Sequence, residues 1–385
     1  MKRSAFAIVL IATVVLVGCS EVSHEHTFGD WKLNESSGRL ERVCSKCSEV
    51  ESKEVLVANS QDSLMAAMAD GSKPIYIASD IELSQTIEIK DGKTIEINLN
   101  GKTVSIVDNC FSLEGANVSV SGNGRLVRTG SSTNALFWLY GSTEPVSDYT
   151  VLSIGKDVVL EAPYAIAVNK NSASKEGKSC GIVVNLNGTI NASVCGVYTN
   201  GTCNSMDENA PVFNMDGANI TASNSGIYAA GYAVWNIKDT TIESANALSL
   251  KSGSFTIDGG SFRSTGEYSE PAEDTSNGSV DTGAALSMTS NDGYAKKLDV
   301  VVNSGRFESV NGYAVYEGIP NKKNSSTPVA AESYVTLVIN GGEFIGNTDK
   351  GSIKLNSIKN PGVVHGGTFN VAPDASYYAE GYSAQ

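Results

Sequence analysis

Histidine and tryptophan are scarce in this chain, with three of each among 385 residues. Proline supplies 9 residues, and charged side chains make up only 18%. Arginine occurs seven times, scattered along the chain, and the formal charge is -14. Phosphate backbones are bound by clustered Lys and Arg, so no nucleic-acid partner is expected. Acidity adds only that the chain is soluble and repelled by anionic surfaces. No basic amphipathic helix is visible for membrane binding. The apolar run from Ala5 to Val17 is too short to cross a bilayer as a helix. What the chain has in abundance is turn-forming material. Glycine (38), serine (49) and asparagine (32) together approach a third of all residues. That excludes a helical bundle, and a hydrophobic fraction of 41% excludes a disordered tail. The mixture predicts many short strands broken by many turns.

Lys2 and Arg3 precede the apolar run, which ends Leu16-Val17-Gly18-Cys19. This has the layout of a signal peptide over 1–18. The ending resembles the lipobox of bacterial lipoproteins. The resemblance implies that the Cys19 thiol takes a lipid and that Cys19 becomes the mature N-terminus, anchored in a membrane. Several acyl chains, at ~0.8 kcal/mol per buried CH2, make a stable anchor. The alternative is an ordinary secretory signal. The expected location is the cell envelope, surface-exposed or at the outer membrane.

Residues 19–57 form the anchor and a small His/Cys module. It reads His24-Glu25-His26-Thr27-Phe28, then Trp31, then Arg42-Val43-Cys44-Ser45-Lys46-Cys47. The pattern resembles small H-x-F-x-x-W…R-x-C-x-x-C modules of gut-bacterial surface proteins. Those usually carry a further cysteine between the Trp and the Arg, which this chain lacks. Two imidazoles (His24, His26) and two thiolates (Cys44, Cys47) could supply four tetrahedral zinc ligands. All positions would then be filled by protein, so the metal would be structural. The alternative is a Cys44–Cys47 disulfide or free thiols beside solvated histidines. A region this small needs a staple of some kind.

From about Pro74 the chain repeats itself. One recurring segment is an alternating strand with a Gly or Asn/Asp corner and an apolar anchor. Examples are Val184-Asn185-Leu186-Asn187-Gly188-Thr189-Ile190, Phe255-Thr256-Ile257-Asp258-Gly259-Gly260-Ser261-Phe262 and Val338-Ile339-Asn340-Gly341-Gly342-Glu343-Phe344. Alternation with period two turns one side of the strand inward. A second segment follows, a small residue and then an aliphatic one. It recurs at Ala135-Leu136, Ala165-Ile166, Gly196-Val197, Gly226-Ile227, Ala247-Leu248, Ala285-Leu286, Ala314-Val315 and Ser352-Ile353, with spacings of 30, 31, 30, 21, 38, 29 and 38 residues. A coil of roughly 20–30 residues with insertions accounts for this better than a sandwich does.

The expected fold is all-β, a right-handed single-stranded parallel β-helix over 74–372. Coils stack at ~4.8 Å, so ten to twelve of them make a rod of ~50–60 Å. Ile190, Ile220, Ile242, Phe262, Phe307, Phe344 and Phe369 are expected in one internal ladder. Leu136, Ile166, Val197, Ile227, Leu248, Leu286, Val315 and Ile353 are expected in another. Ser60 to Ser63 can start a helix carrying Leu64, Met65 and Met68, with Gly71 after it. Residues 58–73 are thus read as the N-terminal lid. The tail 373–385, with Tyr377, Tyr378 and Tyr382, is read as the other cap. The opening from Ser63 to Thr103, with Gly92-Lys93-Thr94-Ile95 and Leu99-Asn100-Gly101-Lys102-Thr103, resembles pectin-lyase-like repeat proteins of bacterial surfaces. That resemblance implies architecture more than activity.

Catalytic sets of this fold are incomplete here. Polygalacturonase-like hydrolases place carboxylates on both sides of the scissile bond. Of their N-T-D, D-D, G-H-G and R-I-K motifs, the chain has only Asn347-Thr348-Asp349, read as loop. Pectate-lyase-like enzymes need calcium carboxylates near an Arg or Lys. Arg125, Arg128, Arg263 and Arg306 do not mark a cluster. Calcium could be held by the acidic insertion Glu267, Glu270, Glu273, Asp274 and Asp281, or that insertion is solvated. His365 is read as a coil residue. Cys110, Cys180, Cys195 and Cys203 allow three full pairings, or remain free.

The residue after each second-segment aliphatic should face outward. These include Phe137, Tyr198, Tyr228 and Tyr316, a candidate row for stacking on a glycan. The alternative is β-propensity alone. Three functions stay open. The leading one is a non-catalytic, lipid-anchored adhesin-like protein that binds a glycan or a host or matrix protein. The others are a polysaccharide lyase or glycoside hydrolase, and a purely structural envelope protein.

Overall fold

The computed structural model describes residues 24–34, 36–130, 134–141, 149–168, 180–200, 209–270, 281–289, 298–318, 335–356 and 362–383. The signal peptide, Cys19, Cys203, Glu273 and Asp274 lie outside the described residues. From Leu56 onward the chain is a parallel β-helix with three strand faces per coil.

Face one runs through Ile75–Ile77, Thr94–Asn98, Asn117–Ser121, Thr150–Ile154, Ile182–Leu186, Val212–Asp216 and Val234–Lys238. It continues in the first halves of Gly253–Ser264 and Leu298–Ser309 and in Val335–Ile339. Face two carries the expected anchor ladder, Ile190, Ile220, Ile242, Phe262, Phe307, Phe344 and Phe369, in register from coil to coil, and the structure adds Leu160 ahead of it. Face three carries Ile87, Phe111, Phe137, Ile166, Val197, Ile227, Leu248, Leu286, Val315 and Ile353.

One rung of the second ladder differs from expectation. Phe137, not Leu136, pairs with Ile166 and with Phe111. Phe137 is 1% exposed and stacks on the Phe111 ring at 5.2 Å. The outward position on that coil belongs to Trp138.

The ladders hold the rod together because each apolar side chain meets its own kind above and below. Each such burial contributes ~1.5–3 kcal/mol before chain entropy is subtracted. On face one, Phe213, Trp235 and Phe255 stack with nearly parallel planes, 3.9 and 5.4 Å between centroids. Outside that face, Asn185, Asn214 and Asn236 hand one amide hydrogen bond from coil to coil at 2.9 Å. Outside face two, Glu243, Arg263 and Glu308 occupy successive rungs. Arg263 lies 3.4 Å from Glu243 and 3.5 Å from Glu308, and Arg306 reaches Glu308 and Glu343. Exposed pairs of this kind are worth ~0–1 kcal/mol each.

Successive rungs of the face-two ladder from Ile220 to Phe262 are 22 and 20 residues apart. Longer coils insert chain at particular corners. Segments 141–149, 169–181, 200–211, 289–297 and 318–334 leave between face three and face one, and 265–285 between face two and face three.

Both ends are covered. The helix Gln61–Asp70 starts at Ser60, whose hydroxyl accepts from the Ser63 amide while Ser63 answers the Ser60 amide. It stops at Gly71, left-handed at φ 60°. Leu64, Ala67 and Met68 bury over the first coil. At the far end Val364 bridges Tyr378, and Tyr377, Tyr378 and Tyr382 pack on the core.

Candidate functional site

The outward row of face three reads Ser112, Trp138, Ala167, Tyr198, Tyr228, Ser249, Ser287, Tyr316 and Lys354. Tyr198 and Tyr228 are therefore on one row and half-buried. Their rings stack at 5.0 Å and 10°. Tyr164 meets Tyr198 edge-on at 5.8 Å, and the Lys251 ammonium sits 5.1 Å from the Tyr228 centroid. The flat faces that a sugar would stack on are thus taken up within the row. Ring edges and hydroxyls are what the pair offers outward. Asn200 Nδ2 donates to the Tyr198 hydroxyl at 3.3 Å.

Tyr316 points the same way but is 2% exposed. It belongs to a second cluster that the sequence reading did not assemble. Tyr268 lies edge-on to Tyr313 (5.7 Å) and Tyr316 (6.4 Å). Lys350 sits 4.6 Å from the Tyr268 centroid, and Lys354 5.8 Å from both Tyr313 and Tyr316. Burial pushes the Tyr316 hydroxyl up to about 12. A signal for this cluster existed in the Tyr-Ala-Val triplet 313–315. The partner Tyr268 comes from a distant insertion.

Between the two clusters the row is not open. Ser249 and Ser287 are fully buried although the register aims them away from the core. Thr282, at the end of insertion 265–285, donates to the Ser287 hydroxyl at 3.0 Å. Lys251 is buried beside this crossing, and burial lowers its ammonium to about 8, against the opposing pull of Asp281.

The sign of that shift makes a prediction. Below pH 8 both folded and unfolded chains carry the charge, and the folded state bears its full desolvation cost. Between about 8 and the ordinary ~10.4, the unfolded chain binds the extra proton, so Lys251 costs progressively less stability as pH rises. Lys251→Met is expected to raise the unfolding free energy at pH 7, measured in urea, by at most ~3 kcal/mol. The gap from the parent should narrow toward pH 10. A gap independent of pH would refute the assignment.

The His/Cys module forms a separate three-stranded antiparallel sheet, Lys32–Asn34, Arg39–Val43 and Val50–Glu54. Trp31 lies between Arg42 and Lys53, at 4.7 and 4.5 Å from its centroid. His24, His26, Cys44 and Cys47 converge, with one ligand atom from each all within 4.8 Å of one another. Cys44 Sγ is 3.8 Å from His24 Nε2, and Cys47 Sγ is 3.4 Å from His26 Nδ1. Burial alone would raise the Cys44 thiol. The Lys46 amide, both imidazoles and the Cys47 amide together bring it down to about 5.

Among the described residues no other group of three or more His, Cys, Asp or Glu brings ligand atoms together in this way. Of the acidic insertion, Glu270 is paired with Lys354, and Asp281 interacts with Lys251. Asn347 accepts from the Asp349 amide within an exposed turn, and His365 is exposed on its rung. Arg125 is paired with Glu161, and buried Arg128 donates to the Asn109 carbonyl at 2.8 Å. Cys110, Cys180 and Cys195 are buried, and the Cys195 thiol donates to the Val197 carbonyl at 3.4 Å.

Comparison with protein-family models, curated proteins and solved structures found no match. Fold and sites together define the chain as a parallel β-helix with a small N-terminal His/Cys module.

Proposed function

We propose that this is a non-catalytic cell-envelope protein, lipid-anchored through Cys19, whose pectin-lyase-like rod presents face three to a glycan or a host or matrix protein. The observation that carries the reading is the placement of Tyr198 and Tyr228. They lie side by side and partly exposed on the outward row of face three. Two neighbouring hydroxyls and ring edges, one rung apart, suit hydrogen bonding to a short stretch of an extended chain or to a loop of a protein partner. Binding by open ring faces is not part of the proposal, because those faces are paired within the protein.

The test is a glycan and matrix-protein array. The parent should bind, Tyr198→Phe/Tyr228→Phe should weaken binding by ~2–10-fold per lost hydrogen bond, and Tyr198→Ala/Tyr228→Ala should abolish it. Undiminished signal in the alanine pair, or no signal in the parent, ends the reading. One observation favours the lyase or hydrolase alternative, the Glu243–Arg263–Glu308 row on face two, where two carboxylates flank a guanidinium. Unsaturated or reducing products from pectin, lost in Arg263→Gln, would decide for it.

A further inference from the structure

We propose that His24, His26, Cys44 and Cys47 form a structural zinc site that fastens the N-terminal module and, through it, the first coil of the rod. The reading does not depend on what face three binds.

The four donors come from two segments that the backbone fixes side by side. Phe28 bridges Cys44, the Ser45 amide donates to the Thr27 carbonyl at 2.9 Å, and the Gly29 amide donates to the Val43 carbonyl at 3.2 Å. The cysteines sit on a tight turn. The Cys44 amide donates to Glu49, the Ser48 amide returns to the Cys44 carbonyl at 3.2 Å, and Ser48 takes a left-handed φ of 62°. The Lys46 amide points at Cys44 Sγ from 3.5 Å. An amide aimed at sulfur stabilises a thiolate, the form a metal takes.

Two of the six donor-to-donor edges match a zinc tetrahedron, and the whole set lies within 4.8 Å, so a small closure completes it. With Zn–S ~2.3 Å and Zn–N ~2.05 Å, the sulfur-to-nitrogen edge is ~3.6 Å. The two observed edges, 3.8 and 3.4 Å, fall on either side of it. Two imidazoles with two thiolates suit a borderline-soft cation, whereas calcium and magnesium call for oxygen. Four protein ligands close the coordination shell, so the metal holds structure and activates no water.

His26 Nδ1 also lies 3.1 Å from Glu49 Oε2. A metal takes that nitrogen without its proton, so the Glu49 contact gives way when zinc binds. Glu49→Gln should keep the metal.

The module has reason to need a metal. Within the described part of 24–54, only Leu40 and Cys44 are buried apolar residues. Its last strand, Val50–Glu54, runs almost directly into Leu56–Ala58, which pairs with Ile75–Ile77 in the first coil. Glu54 also meets Lys73 at 2.8 Å. Ordering the module therefore orders the edge of the rod.

The experiment uses the full-length chain, purified with reductant and reconstituted with zinc. Native mass spectrometry should show one zinc per chain, and cobalt(II) in its place should give thiolate-to-cobalt charge-transfer and tetrahedral d–d bands. Cys47→Ser and His24→Ala should each weaken zinc retention against a chelator at least ~10-fold and speed amide exchange in Leu56–Ala58 and Ile75–Ile77, while the rest of the rod keeps its protection. Zinc-free protein prepared without reductant whose peptide map joins Cys44 to Cys47 overturns the proposal. So does cobalt that binds without thiolate bands, or zinc retention unaffected in both variants. None of these outcomes bears on the array result.

Discussion

Trp235→Ala is expected to remove ~3–5 kcal/mol of stability, because it empties the centre of a fully buried apolar stack. Trp235 is fully buried, with Phe213 on one side and Phe255 on the other. Its indole N–H meets no acceptor among the described residues. A buried donor without a partner is itself costly, so Trp235→Phe should recover most of the loss while keeping the ring stack. Urea unfolding followed by circular dichroism compares the three proteins. A Trp235→Ala loss below ~1 kcal/mol would mean that the coils are not packed in register there.

Gly226→Ala should be nearly as damaging, for the opposite reason. A Cβ on Gly226 would stand 2.1 Å from Ile242 Cγ2 and 2.8 Å from the Ala247 carbonyl. One of those atoms is a branched methyl and the other is backbone of the next coil, so neither can swing aside. Overpacking of this kind costs ~1–3 kcal/mol, and this contact belongs at the upper end. Gly217→Ala is the control. Gly217 has a φ of 68° and nothing within 4 Å, so it incurs only the left-handed backbone cost of ~1–2 kcal/mol. If Gly217→Ala destabilises more than Gly226→Ala, close coil-to-coil contact is not what selects the small residue before each aliphatic.

That small-then-aliphatic pair was the most legible feature of the sequence, together with the face-two ladder from Ile190 to Phe369. Both repeat with period-two alternation, and the parallel register stacks them directly. The one misplaced rung has a local cause. Ala135-Leu136-Phe137 offers two apolar side chains after the small residue, and the choice is made by Phe111 on the preceding coil. The helical lid was readable because Ser60, Ser63 and Gly71 are cap residues whatever the helix packs on.

The candidate sites were less legible. H-x-H and C-x-x-C spacing identified four possible ligands, but Glu49 beside His26 depends on how the sheet folds back. Tyr198 and Tyr228 were placed on the right row, yet a row says nothing about ring orientation. Tyr316 was placed outward without a hint that Tyr268 and Tyr313 would cover it. The Arg263 and Arg306 charge row joins residues 20 to 45 positions apart, a separation at which only the coil length fixes the partner.

The hydrogen bonds between coils run along the length of the rod, and the two chain ends leave from its opposite tips. Tension applied to those ends therefore opens bonds as a zip fastener opens, one turn at a time from a tip, instead of sharing the load across all turns. Mechanical resistance is then set by the weakest terminal turn and does not grow as turns are added. A clasp at the leading tip would raise the force at which peeling begins from that side.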